Sequence, residues 1–220
     1  MGTRDESRAT RPSTAFSYLT VRTLRAYSAP PTIDSLEDWA QLRARILATP
    51  DESQIRGMFP AAIMKLVPEV SAPRSRYLPF SNYPMTEYLD LILQAARSRY
   101  PGMTAGNAVL RLGSHVYATF ASSLAGMAIF GIAQLDLRRA IELSPRAYEV
   151  TLRPGRVEVL HAGPREARVQ LRGVWALPDI FHAGIWLGGM DACQASGSIS
   201  ITRHSLCDVD FDVKWESDRG

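Results

Sequence analysis

The stretch NAVLRLGSHVYATFASSLAGMAIFGIAQL, residues 107–135, decides the fold that we expect for this chain. After Arg111 it contains no Asp, Glu, Lys or Arg, which predicts burial on nearly every side. It is longer than the roughly ten residues of a long strand and lacks proline, so it predicts helix. Gly113, Gly126 and Gly131 each cost a helix interior about 1 kcal/mol relative to Ala, so they predict a break into two helices or close backbone contacts.

The length and composition are typical of a globular protein. The chain has 220 residues, 46% hydrophobic and 21% charged, enough for one domain with an extension or for one large α+β domain. The net charge of +3 is small, so we expect no nucleic-acid partner. Residues 118–133, the apolar part of the central stretch, are fewer than the about 20 that a bilayer requires and include Ser122 and Ser123. They predict a buried core helix and no membrane span.

The N-terminal segment, residues 1–31, is rich in Ser, Thr, Arg and Pro and predicts an extension that is mobile or docked. Within it, residues 16–22 fit either an edge strand or a docked segment. The first residues have no apolar signal core, so we expect a cytoplasmic protein. Cys193 and Cys207 lie outside any CxxC spacing, which predicts two reduced, buried thiols.

Helical periodicity begins after this extension. Asp34 and Glu37 have the spacing of a capping box and predict a helix over 35–48. A second helix is expected from about residue 51 or 53, with a break at Pro60.

One further helix is expected before the central stretch and another after it. The proline-rich segment 71–84 predicts a loop, and an amphipathic helix is expected from Pro84 to Tyr100. A short helix over 136–143 is expected to end at Ser144.

Beyond Pro145 the hydrophobic period changes from 3.6 to 2, which predicts a sheet. Strands are expected around 148–153, 157–159, 167–172, 198–203 and 208–215, with a glycine-rich helix over 179–195. The sequence therefore predicts an α+β fold: a helical N-terminal half, 32–143, packed on an antiparallel sheet of about five strands with one inserted helix, 145–216. We expect residues 32–216 to form a single domain.

Several short motifs resemble an uncharacterised protein family that is expanded as paralogues in myxobacteria. They are IRGMF (55–59), RYLPFSNYP (76–84), YL (88–89), LG (112–113), SPRAY (144–148), FHAG (181–184) and VKW (213–215). The resemblance covers about residues 50–216. The motifs are specific to that family, but they are not catalytic motifs.

That family is similar in predicted architecture to haem–nitric-oxide-binding domains, vinyl-reductase-type ligand sensors and vesicle-tethering subunits. The resemblance implies a hydrophobic cavity between the helical half and the sheet. Where the haem domains have a proximal histidine in a Leu-Asp-x-Leu-His pattern, this chain has Arg138 in the sequence LDLR. We therefore expect no haem and no other cofactor.

Two histidines are candidates for a ligand site. His115 lies on the central helix, where it is either a core or subunit-boundary residue bonded to backbone or a pocket donor. His182 begins the glycine-rich helix and either lines a pocket or packs in the core. His204 and Cys207 have near-ligand spacing, but a turn between strands explains them better than a metal, so we expect no metal.

An aromatic cluster is expected to form core, with a subset lining an apolar cavity. Its members are Tyr83, Tyr88, Tyr117, Phe120, Trp175, Phe181 and Trp186. As ligand-binding residues we select His182, His115, Tyr88, Tyr117, Phe120, Phe181 and Trp186. Asp208, Asp210 and Asp212 are expected to form a solvated row on the last strand.

No catalytic motif is present: the chain lacks GxSxG, a phosphate-binding glycine loop and HExxH. The resemblance, and the aromatic and glycine positions at the junction of helices and sheet, lead us to expect a non-enzymatic cytoplasmic sensor or binding protein for a hydrophobic small molecule, in a homodimer or other homo-oligomer. Two alternatives stay open: an interaction scaffold whose glycine-rich helix packs on a partner, and an isomerase or cyclase acting on a lipophilic metabolite.

Overall fold

The computed structural model describes residues 17–23, 37–121, 127 and 136–217. The predicted cap at Asp34, the glycines at 126 and 131 and the side chain of Phe120 lie outside the described residues.

Four strands of the C-terminal half and one strand of the N-terminal segment form a five-stranded antiparallel sheet. They are β1 (Ser17–Thr23), β5 (Arg156–Ala162), β6 (Glu166–Arg172), β7 (Ala195–Arg203) and β8 (Val209–Ser217). Their order in the sheet is β1-β7-β8-β6-β5, and β1 forms one edge by pairing with β7 along its whole length. An α+β architecture with a sheet of five strands is thus confirmed, and the edge-strand alternative for residues 16–22 is the correct one.

One face of this sheet is apolar because every second residue points to it. Val169 on β6 is opposite Phe211 on β8, which is in turn opposite Ile201 on β7. All three side chains are fully buried. The inserted helix packs on this row of side chains.

The helices in the described part of the chain are α1 (Trp39–Leu47), α2 (Met58–Leu66), α3 (Met85–Arg99), α4 (Ala105–Ala121), α5 (Leu137–Glu149) and α6 (Ala183–Ala192). Helix α6 follows a π-helical turn, Pro178–His182. It packs on the sheet with one side, where the Trp186 ring meets Phe211 edge-on at 5.8 Å between centroids. Its other side packs on α4.

The α4–α6 crossing is close because glycines from both helices meet. A Cβ on Gly184 of α6 would lie 2.0 Å from the Leu110 carbonyl oxygen and 3.1 Å from the Gly113 Cα of α4. The expectation of a close backbone contact at Gly113 is therefore correct. Burial of α4 is less complete than expected, since His115 and Ala118 are exposed.

A second, three-stranded sheet joins the two halves of the chain. Its central strand β2 (Gln54–Arg56) pairs with β3 (Asn82–Pro84) and with β4 (Leu152–Arg153). The expectation that a helix begins near residue 51 was wrong: this segment forms β2, and α2 begins at Met58. Pro60 causes no break, because it lies in the first turn of α2, where backbone N–H groups have no helical partner.

Two other boundaries differ from the predictions. Helix α1 is capped by Asp38, whose carboxylate accepts from the Gln41 backbone N–H while the Gln41 side chain accepts from the Asp38 N–H. Helix α5 continues through Pro145 to Glu149, so the strand predicted over 148–153 shrinks to the two residues of β4.

None of the helices in the described residues is both long and apolar enough to cross a bilayer.

Candidate functional site

The most unusual polar contact in the core joins the end of α5 to the turn before α6. The Tyr148 hydroxyl lies 2.6 Å from Nδ1 of His182, and both residues are buried. The indole Nε1 of Trp186, one turn further along α6, donates to the same hydroxyl at 3.4 Å. Three side chains from two segments therefore form one hydrogen-bonded chain.

This chain borders a cavity of about 60 Å³, which we name cavity A. It lies among the helices and ends at the small sheet, and no described residue of the five-stranded sheet lines it. The prediction placed the cavity between the helical half and the sheet; cavity A lies between helices and the small sheet. Its lining is Ile55, Phe59, Tyr88, Tyr117, Ala147, Tyr148, Thr151, Leu152, His182 and Ile185.

A second space, cavity B, also measures about 60 Å³ and lies next to cavity A. The two share Tyr117, Tyr148 and Ile185 as a common wall. The remaining lining of cavity B is Leu137, Ala140, Ile141, Ser144, Trp186 and Gly189.

Two residues of cavity A each have a buried polar atom without a hydrogen-bond partner in the part of the chain that the structure describes. These atoms are Nε2 of His182 and the hydroxyl oxygen of Tyr88. These residues are 5% and 2% exposed, so bulk water does not satisfy them. Buried polar groups are normally paired, and an exception calls for an explanation such as a bound molecule.

Burial shifts the proton equilibria at this site. Desolvation lowers the pKa of His182 to about 3, so its imidazole is neutral at physiological pH. Desolvation also raises the pKa of Tyr88 and Tyr148 far above 10 and that of Tyr117 to about 12. The cavity walls therefore carry neutral hydrogen-bonding groups and no charge among the described residues.

The structure brings together four of the seven residues selected from the sequence. Tyr88, Tyr117 and His182 line cavity A, and Trp186 lines cavity B. Phe181 is core: its ring meets Tyr88 edge-on at 6.0 Å and lines neither cavity.

His115 lies away from both cavities on the exposed side of α4. Its Nδ1 is 2.9 Å from the Arg111 carbonyl oxygen and 3.1 Å from the Tyr100 hydroxyl. The seventh selected residue, Phe120, has no described side chain.

Tyr148 is the site residue that the sequence analysis missed. The alternation after Pro145 suggested a strand, which would have separated Tyr148 from the helical core. Another pattern indicated the correct structure. Leu137, Ala140, Ile141, Ser144, Ala147 and Tyr148 recur at helical spacing and form the buried face of α5.

The turn that carries His182 is held by a buried ion pair. Asp179, fully buried, accepts from both terminal nitrogens of Arg45 at 2.5 and 3.2 Å. Arg203 on β7 donates to the same carboxylate at 3.0 Å, and Glu37 joins the two arginines on the other side. Helix α1 and the large sheet thereby fix the position of the site.

The acidic row on β8 is not the solvated row that was expected. Asp210 is 4% exposed and pairs with Arg172, Arg168 and His204. Burial acts to raise its pKa, but hydrogen bonds from Arg172 and His204 outweigh burial and lower it. Among the described residues no group of three or more His, Cys, Asp or Glu is arranged to hold a metal ion.

The described residues do not fit a haem. Where the haem domains have the pattern Leu-Asp-x-Leu-His, the chain reads LDLRR over 135–139, which contains no histidine. Each cavity, at about 60 Å³, is also less than half of the about 150 Å³ that holds benzene, which is far smaller than a haem.

The fold is similar to that of solved H-NOX proteins. A mutant of the Fe(II) unliganded H-NOX protein from K. algicida superposes with a TM-score of 0.52 and 14% identity, covering 75% of this chain and 98% of its own. An H-NOX protein from S. oneidensis in the Fe(II)NO ligation state gives a TM-score of 0.51 and 13% identity, covering 74% of this chain and 100% of its own. At these identities the similarity shows the fold alone.

No curated protein matches the chain in sequence. The motifs quoted above predicted membership of an uncharacterised family over about residues 50–216, and this prediction is confirmed. A family model described as protein of unknown function (DUF2378) matches residues 50–216, most of the chain, and the chain therefore belongs to that family.

Proposed function

We propose that this protein is a non-enzymatic binding protein or sensor that holds a small hydrophobic molecule in cavity A. One observation carries the proposal: two residues that line an almost entirely apolar cavity each have a buried polar atom, Tyr88 Oη and His182 Nε2, without a partner among the described residues. Ligand pockets commonly combine apolar walls with a few well-placed polar groups.

The volume limits the size of the molecule. A cavity of about 60 Å³ has room for several water molecules or for a molecule of a few heavy atoms. Movement of Tyr117 or Ile185, which separate cavity A from cavity B, would join the two spaces. The joined space would approach the about 150 Å³ that holds one benzene ring.

The solved structures support ligand binding only by analogy. They are described as Fe(II) proteins, one of them in an NO-ligated state. That the fold serves ligand-binding proteins elsewhere makes it a reasonable scaffold for a different ligand here.

The two alternatives have less support. The scaffold alternative requires a glycine-rich helix that is available to a partner, whereas Gly184 and Gly188 of α6 contact α4 of the same chain. The isomerase or cyclase alternative uses His182 or His115 as an acid or base. His115 lines neither cavity. A pKa of about 3 makes the His182 imidazole a weak base, which favours a hydrogen-bonding role.

Native mass spectrometry of the purified full chain, followed by solvent extraction, tests the proposal. We expect a co-purifying organic molecule, or a rise in Tm when small apolar compounds such as benzene and toluene are added. The same spectra report whether the chain forms the homodimer that we propose.

Two cavity-filling variants locate the binding. Ala147→Leu fills cavity A and Ala140→Leu fills cavity B. We expect Ala147→Leu to abolish the Tm shift, whereas Ala140→Leu abolishes it only for molecules that span both spaces. Retention of the full shift in Ala147→Leu would contradict binding in cavity A.

A further inference from the structure

We propose that cavity A selects a neutral molecule through an oxygen acceptor, as in a small ketone, aldehyde or ester, which receives hydrogen bonds from His182 Nε2–H and the Tyr88 hydroxyl. This inference rests on the proposed function and specifies the class of ligand. It follows from the direction of the hydrogen bonds in the Trp186–Tyr148–His182 chain.

The direction is set at Trp186. An indole N–H can only donate, so at 3.4 Å the Tyr148 oxygen is the acceptor. Among the described residues, the acceptor within reach of the Tyr148 hydroxyl proton is His182 Nδ1 at 2.6 Å, so the hydroxyl donates to this nitrogen. Nδ1 of His182 is therefore an acceptor.

A neutral imidazole carries one proton, on the nitrogen that does not accept. His182 is buried, and no acidic residue is among the described lining of the cavity. The proton is therefore on Nε2, the atom that has no partner among the described residues. The wall of cavity A thus includes an N–H donor that no described residue satisfies.

Tyr88 adds a second donor. Its hydroxyl is buried, unpartnered and part of the lining of the same cavity. A hydrocarbon would leave both donors unsatisfied. An anion would require a cation, and none is present in the described lining. A carbonyl oxygen has two lone pairs and suits neutral donors in an apolar space.

The tautomer is measured by nitrogen-15 NMR of the histidine rings in the full chain. We expect a proton on Nε2 of His182 in the wild type, with the resonance assigned by its loss in His182→Gln. A proton on Nδ1 would overturn the inference, because Nε2 would then be an acceptor. In Tyr148→Phe the hydroxyl that selects this tautomer is absent, and we expect a mixture of the two forms.

Selectivity is measured with ketones and their methylene counterparts of nearly the same shape: acetone against isobutene and cyclopentanone against methylenecyclopentane. We expect the ketone to bind at least about tenfold more tightly in one pair, which is about 1.4 kcal/mol. Tyr88→Phe should reduce this preference, because one of the two donors is removed.

The outcomes separate the two proposals. Equal binding of ketone and hydrocarbon leaves the apolar binding function standing and overturns the selection of an acceptor. If neither member of either pair binds or raises Tm, both the proposed function and this inference are wrong.

Discussion

Arg45 on α1 and Asp179 in the turn before α6 form a buried, bidentate ion pair between residues 134 positions apart in sequence. Asp179 lies three residues before His182, so this pair positions the turn that presents the imidazole to cavity A. Arg203 and Glu37 complete a network of alternating charges, and each carboxylate accepts from both arginines.

Removing one partner of this pair should destabilise the protein strongly. Asp179→Leu leaves the buried Arg45 with Glu37 as its remaining acidic partner in the network. We expect a loss of about 3–5 kcal/mol in the free energy of unfolding, measured by urea denaturation. The control is Arg138→Ala, which breaks the half-exposed pair with Glu142 and should cost less than about 1 kcal/mol. Similar losses in the two variants would contradict a structural role for the buried pair.

The two tyrosines of cavity A should respond in opposite ways to loss of the hydroxyl. Tyr148→Phe leaves His182 Nδ1 and Trp186 Nε1 buried without a partner and should cost about 1–3 kcal/mol. Tyr88→Phe removes a hydroxyl that has no partner and should leave the stability of the ligand-free protein unchanged or slightly higher. Thermal and urea unfolding of both variants would check this. Equal destabilisation would mean that Tyr88 has a partner in solution.

His182 should make stability depend on pH. The unfolded chain binds a proton at this residue near pH 6.5, whereas the folded protein resists protonation down to about pH 3. Above pH 6.5 this residue therefore does not lower the free energy of unfolding. As the pH falls from 6.5 towards 3, the free energy of unfolding decreases by an amount that approaches about 1.4 kcal/mol per pH unit.

This slope is obtained from urea unfolding between pH 5 and 7 for the wild type and His182→Gln. We expect the variant to lose this part of the pH dependence. Ser53→Ala alters another buried polar position but removes no titratable group, so it should keep the wild-type slope. An unchanged slope in His182→Gln would show that the imidazole is not desolvated.

Of two glycines on α6, Gly184 and Gly189, only Gly189 should tolerate replacement by alanine. Gly184→Ala places a Cβ 2.0 Å from a backbone oxygen, and only a movement of the two helices away from each other relieves this clash. We expect the free energy of unfolding to fall by about 3 kcal/mol. Gly189→Ala meets only the Tyr117 ring, at 3.3 Å, and gains up to about 1 kcal/mol in helix propensity. Thermal unfolding of the two variants distinguishes these effects. Comparable Tm values for the two variants would mean that α4 and α6 are further apart at Gly184 than in the structure.

Periodicity predicted the elements whose burial pattern is regular. The alternation at Val169 and Leu171 and at Val209 and Phe211 identified β6 and β8, because one face of each strand packs on helices. The same method failed at 148–153, where the residues that looked like a strand are the end of α5 and the short β4. Pro145 cannot donate to the Ile141 carbonyl, but the Ser144 hydroxyl donates to it at 2.7 Å, and α5 continues to Glu149.

The candidate site was predictable only in part. Tyr88, Tyr117 and His182 were selected because aromatic and histidine side chains on apolar helix faces tend to line cavities. Their arrangement was not predictable, because no local pattern specifies that the unpartnered atoms of Tyr88 and His182 share one cavity.

By itself the sequence determined the type of most helices and strands, the α+β class and the family, because side-chain periodicity and motif order are local properties of the chain. Tertiary structure alone decided that Tyr148 hydrogen bonds to His182 across 34 residues and that Asp179 pairs with Arg45. It also decided which polar atoms remain without partners. The physical reason is that the strength of a buried hydrogen bond and the pKa of a buried group depend on which distant segments exclude water from them, and packing sets this.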